Sequence, residues 1–180
     1  NSGGMVHVDS GGYLGGIINV NGGTVFTEDT IDIVYGWERI NLIDDADLSN
    51  TSFTLTGGAK VNISGTNNSV GSISINSEGA LNFDISEFAA PNETVMLYDL
   101  TTITASNIYL TIDSSANING SYKLADNASA FDGTVTVFNL GSELGELSFD
   151  NPLHNGDITC TLSVDESGIL PAQLAVAGED

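Results

Sequence analysis

A chain of 180 residues can hold one domain with a real core, or two small ones. It carries 3 Lys+Arg against 24 Asp+Glu, a formal net charge of −21, so Arg39, Lys60 and Lys123, scattered along the sequence, build no basic patch, and nucleic-acid binding is excluded on this reading. Apolar residues make up 41%, too many for a disordered acidic tail, and no run approaches the ~20 apolar residues of a membrane-spanning helix, so direct membrane insertion of this segment is not expected.

The chain opens on Asn1-Ser2-Gly3-Gly4 and returns to Asn21-Gly22-Gly23. Gly3 to Gly22 and Gly4 to Gly23 are both 19 residues apart, Val6 falls on Val25 at the same offset, and a further glycine pair stands at Gly11-Gly12. From there the period is two. Ile31-Asp32-Ile33, Phe53-Thr54-Leu55, Val61-Asn62-Ile63, Ile73-Ser74-Ile75, Leu81-Asn82-Phe83 and Val135-Thr136-Val137 alternate apolar with polar residues. They are bounded by Gly, Asn, Asp and Ser and read as strands. The only helical turn expected is at Ile85-Ser86-Glu87-Phe88-Ala89, stopped by Pro91. The glycine pair recurs in decayed form at Gly57-Gly58 and Gly79, and faintly at Ser114-Ser115. These offsets of 35, 22 and 36 residues fall near one or two periods of about 18 to 22. Such repeats predict a β-solenoid in which each strand pairs with its copy ~4.8 Å above, with about six coils over residues 1–118. Glycines belong at its corners, where the backbone takes φ > 0 and neighbouring coils crowd together.

From residue 119 the pattern changes. Gly145-Glu146-Leu147-Ser148-Phe149 and two strands around the turn Asp165-Glu166-Ser167-Gly168 predict antiparallel pairing. A solenoid end exposes unpaired edges, so residues 119–180 are expected to form a small antiparallel cap. The fold class is all-β: parallel solenoid coils and a cap.

Residues able to do chemistry are few. His7 reads as an exposed strand residue and His154, before Asn155-Gly156, as a loop residue. Cys160, the single cysteine, sits in an alternating strand and reads as a buried small hydrophobe. No G-x-S-x-G elbow and no zinc-ligand spacing occurs. Carboxylate pairs, as used by glycosidases, are abundant by number alone: Asp44, Asp45 and Asp47 form the densest cluster, with Asp84 and Glu87 next. For Asp44, Asp45 and Asp47 two readings stand, a solvated acidic corner or a weak Ca²⁺ site. Trp37, with Tyr35, reads as core or cap packing or as a glycan-stacking platform. No catalytic residue, metal or cofactor is assigned beyond that weak calcium candidate, and the chain is expected not to be an enzyme.

Residues 1–25, with the pattern N-S-G-G-x-x-x-V-x-S-G-G followed by x-N-G-G-x-V, resemble the AIDA-type repeat of self-associating autotransporter adhesins. The resemblance implies a right-handed parallel β-helix, displayed extracellularly on a Gram-negative cell and attached through a part of the parent outside this sequence. It also implies roles in adhesion and biofilm, like molecules on neighbouring cells or host-surface proteins and glycans as partners, and O-glycosylation at Ser2 and Ser10. The rival reading is a carbohydrate-active β-helix enzyme or a glycan-binding module.

Overall fold

The computed structural model describes residues 3–86, 88, 92–112, 120–128, 134–139, 147–148, 158–162 and 169–176. The chain winds between two parallel sheets. β1 (Met5–Val8) opens the first sheet and β2 (Ile17–Val20) the second; β3 (Thr24–Thr27) and β4 (Ile31–Ile33) return to the first. The alternation continues with β5 (Arg39–Leu42) in the second, β6 (Asp47–Leu55) in the first, β7 (Lys60–Ile63) in the second and β8 (Ser69–Ile75) in the first. It closes with β9 (Ala80–Asp84) in the second, β10 (Ile103–Ala105) in the first and β11 (Asn107–Ile112) in the second. All six alternating triplets of the sequence lie in strands. This is a β-solenoid of about 4 turns, not the expected six or so.

Coil length explains the smaller number. Met5 pairs with Thr24, nineteen residues on, as the opening repeat requires. Ile17 pairs with Arg39 and Ile31 with Phe53, both 22 residues on, and Ile73 then pairs with Ile103 after 30. Intervening coils such as Phe53 to Ile73 take 20 residues, so the later 30-residue coil does most to reduce the number.

Period-two alternation puts one face of every strand inside. Ile40, Val61, Leu81 and Ile108 stack in register through the second sheet, and Leu42, Ile63, Phe83 and Leu110 form the next column. Ile31, Phe53, Ile73 and Ile103 stack in the first sheet. All are buried and belong to one hydrophobic cluster. Burying each such side chain favours folding by about 1.5–3 kcal/mol before its entropy cost.

The corners fall into two stacks rather than one. At one, Gly4, Gly23, Ala46 and Asn68 follow one another through the bonds Thr24 N–H to Gly4 O, Asp47 N–H to Gly23 O and Ser69 N–H to Ala46 O. The left-handed residue just before is Gly22 in one coil, then Asp45 (φ 49°) and Asn67 (φ 59°). At the other stack, Gly57 has φ +60° and lies against the Val34 carbonyl, and Gly79 lies against the Ala59 carbonyl. The offset of 35 residues from Gly22 to Gly57 therefore joins two different corners. Gly79 is needed for close approach alone, since it has no left-handed φ.

No α-helix forms at Ile85, where the described residues make a single turn closed by Phe88 N–H to Ile85 O at 3.2 Å. The short helical piece is a 3₁₀ turn at Leu100–Thr102, capped by the Asp99 carboxylate accepting from Thr101 N–H. Among the described residues no helix is long and apolar enough to cross a membrane.

The ending is antiparallel, as expected. β12 (Gly120–Ala125) still stacks on the coil, its Lys123 and Leu124 carbonyls accepting from Met96 and Leu97 N–H and its Tyr122, Leu124 and Ala125 buried in the common core. β13 (Thr134–Asn139) stacks in parallel on β11, so the parallel ladder runs past residue 118. β14 (Leu147–Ser148) then pairs antiparallel with β13. β15 (Ile158–Leu162) and β16 (Leu170–Val176) complete a three-stranded antiparallel sheet in the order β12-β16-β15. The turn expected at Asp165–Gly168 lies outside the described residues.

Gly57→Val combines a left-handed backbone with a carbonyl contact and should lower stability by about 3 kcal/mol. Gly11 has φ +76° but open space around its Cβ position, so Gly11→Ala should cost about 1 kcal/mol. Thermal and urea unfolding of both variants checks the order; equal effects would contradict it.

Candidate interaction face and its corner

The outward residues of the second sheet are also in register. Asn19, Asn41 and Asn62 stack, the Asn41 side-chain amide donating to Asn19 Oδ1 at 2.7 Å and that of Asn62 to Asn41 Oδ1 at 2.8 Å. Asn82 continues the column, its Oδ1 accepting from the Thr111 hydroxyl at 2.9 Å. Each amide has a donor and an acceptor, so a head-to-tail ladder satisfies its own rungs and leaves the remaining N–H and C=O capacity facing outward.

Beside this ladder Arg39 pairs in register with Lys60. Two of the three basic residues, distant in sequence, are therefore neighbours on one face. Lys60 Nζ lies 5.7 Å from the centroid of the Tyr109 ring, within cation–π range. Arg39 Nη1 is buried without a protein partner.

The corner before β5 carries exposed aromatics. Tyr35 and Trp37 are 56% and 60% exposed, with rings stacked at 6.1 Å between centroids and 14° between planes. Core packing of Trp37 is thus ruled out. Tyr13 and Ile17 are exposed close to this corner.

Beneath the aromatics lies Glu38, which the sequence reading passed over. Its residue surface is fully covered, just under a corner rather than deep in the core. Its carboxylate accepts from the amides of Gly16 (3.0 Å), Val34 (3.0 Å) and Tyr35 (2.9 Å) and from the Tyr13 hydroxyl (3.2 Å). Burial pushes the carboxyl upward, but those four bonds together hold it below the ordinary range. The same contact raises the Tyr13 phenol. Glu38 is a staple joining two coils and fixing the aromatic corner.

Asp44, Asp45 and Asp47 are not brought into one ligand set. Asp44 accepts from Thr66 N–H (2.9 Å) and Asp45 from the Asn67 amide (3.1 Å), each reaching the next coil. Asp47 accepts from the Ser49 backbone (3.0 Å) and hydroxyl (2.6 Å), which hold its carboxyl low. Asp84 closes a local turn with Ser86. Ser10 is exposed; its hydroxyl donates to Asp29, and its amide to Glu28 at 2.9 Å. Ser2, Glu87, His154 and the Cys160 side chain lie outside the described residues.

His7, by contrast, has company. Its Nε2 lies 3.5 Å from Glu28 Oε1 and 3.7 Å from Asp9 Oδ1. Among the described residues this is the one group of three His, Cys, Asp or Glu side chains whose ligand atoms all lie within 4.8 Å of one another.

Compared with models of known families, with curated proteins and with solved structures, the chain finds no match.

Glu38→Gln replaces one acceptor oxygen by a donor facing N–H groups and should cost about 2 kcal/mol near pH 7. The depressed carboxyl stabilises the fold above its ordinary value of about 4.3, and that stabilisation is lost as pH falls through the lower folded value. The stability gap between the two proteins should therefore be full at neutral pH and shrink below about pH 4. Urea unfolding along a pH series measures it; a gap that stays constant would assign Glu38 no charge-dependent role.

Proposed function

We propose that this chain is a binding scaffold without a catalytic step, part of a surface-displayed adhesin passenger of the autotransporter kind. It meets like molecules, or a host surface, through the outward face of the second sheet. The observation that carries the reading is the Asn19–Asn41–Asn62 ladder: a repeated polar face whose rungs follow one another every ~4.8 Å along the solenoid axis. Two such ladders side by side exchange many modest hydrogen bonds, each worth about 0.5–1.5 kcal/mol, so avidity grows with the number of rungs engaged. The resemblance of residues 1–25 to AIDA-type repeats supports the same reading and the extracellular setting.

A second reading, a glycan-binding module, is favoured by one observation: Tyr35 and Trp37 stand exposed and stacked. Sugar rings pack their C–H faces on such surfaces, and Glu38 below keeps the corner rigid.

At −21 per chain, two copies repel over a Debye length, about 30 Å at 0.01 M salt and about 8 Å at 0.15 M. Self-association in sedimentation velocity should therefore strengthen as salt rises over this range. Asn41→Asp, which adds a like charge to the ladder, should weaken it about tenfold or more while the chain stays folded. Association that weakens with salt, or is indifferent to Asn41→Asp, would overturn the ladder reading. Glycan-array binding abolished by Trp37→Ala in a strict monomer would favour the second reading.

A further inference from the structure

Acids are kept apart in the strand registers. Asp32 lies beside Thr54, Asp47 beside Thr24 and Ser69, and Asp84 beside Thr111; among the described strands no acid stacks on an acid. Directly after β1 and β3 the pattern breaks. Val8 pairs with Thr27, and Glu28 N–H donates to Val8 O at 3.0 Å, which sets Asp9 beside Glu28 on the adjoining rung. Two carboxylates on neighbouring rungs repel unless something positive stands between them.

The His7 imidazole faces both carboxylates. Its Nε2 distances of 3.5 Å and 3.7 Å to the two carboxylates exceed the 2.7–3.2 Å of a hydrogen bond. Two ligands at about 2.0–2.1 Å from one ion, at a tetrahedral angle, lie about 3.4 Å apart. The three ligand atoms here, all within 4.8 Å of one another, close to that spacing by small movements of exposed side chains. The imidazole is oriented by the Phe26 ring, edge-on with centroids 4.8 Å apart. Glu28 is oriented by Ser10 N–H, which binds its other oxygen at 2.9 Å and leaves Oε1 directed at the histidine.

We propose that His7, Asp9 and Glu28 form a binding site for a divalent transition-metal ion of the zinc class. One imidazole nitrogen and two carboxylate oxygens are the donors of a borderline ion. Calcium, which takes six to eight oxygens, is poorly served by this set. The two carboxylates neutralise the ion, and the half-exposed side of the site leaves room for water as a fourth ligand. The ion ties the β1 rung to the β3 rung beside it, so binding to the folded chain also stabilises the pairing of these two strands. The site stands apart from the interaction face and does not depend on that assignment.

Calorimetric titration of Zn²⁺ into the chain should show one saturable ion per chain. His7→Ala should abolish it, Asp9→Asn and Glu28→Gln should each weaken it by about tenfold or more, and Asp45→Asn should leave it unchanged. All three ligand side chains are at least partly exposed, and circular dichroism checks that the variants fold. A second readout needs no variant: of the two histidines, one equivalent of Zn²⁺ should shift the imidazole ¹⁵N resonances of His7 and leave those of His154 in place. No saturable binding, binding unaltered by His7→Ala, or a shift at His154 without one at His7 overturns the site. Equal responses to Ca²⁺ and Zn²⁺ overturn its transition-metal character.

Discussion

Everything in this molecule depends on in-register stacking at one rung per ~4.8 Å. Parallel register places each side chain over its counterpart in the previous coil, so whatever a position holds must tolerate a neighbour at that distance. Apolar columns tolerate it best, and Ile40, Val61, Leu81 and Ile108 show the result inside. Asparagine tolerates it outside, because its amide donates to one rung and accepts from another, as Asn41 does. Ionised carboxylates tolerate it least. The described strands accordingly hold few acids, and Asp32, Asp47 and Asp84 each stand beside a neutral residue.

Corners obey a different constraint, because the backbone there must turn sharply while leaving room for the coil above. Gly22, Asp45 and Asn67 take left-handed φ in successive coils, and these are the residue types that enter that region at least cost. Asn68, fully buried, completes the turn by accepting from Ala46 N–H and donating to the carbonyls of Gly65 and Met96. One side chain thus joins three coils. Glu38 does comparable work at another corner with an ionised group, and its four donors make a buried charge tolerable where an unpaired one would unfold the turn.

The solenoid was legible in the sequence because pleat and coil length are both periodic. The nineteen-residue offset from Val6 to Val25 is the actual β1–β3 register. The corners were less legible, since Asp45 and Asn67 replace glycine in the left-handed position and leave no glycine to count. Glu38 carried only a faint signal: it stands three and four residues after the amides of Tyr35 and Val34, the reach of a capping carboxylate. The His7 trio was concealed differently. Asp9 and Glu28 are themselves nineteen residues apart, so the offset that aligned the valines also aligns these acids.

The same stacking rule makes Arg39 over Lys60 the exception among the cations, as Asp9 beside Glu28 is among the acids. Two like charges on adjoining rungs cost stability, and Lys60 is partly relieved by leaning over the Tyr109 ring. The surrounding negative field relieves the pair further, since a cation is stabilised wherever 24 acids set the potential. Their placement matters for a partner that is also acidic. Long-range repulsion between two copies is a property of net charge and fades with screening beyond about 8 Å at physiological salt. Contacts at 3–4 Å inside a formed interface are screened far less. Salt therefore removes the barrier to approach while sparing the local attraction of a carboxylate to Arg39 and Lys60. If two copies associate as proposed, the two neighbouring cations on the asparagine face would bias them toward that face of contact, a bias that comes from register alone.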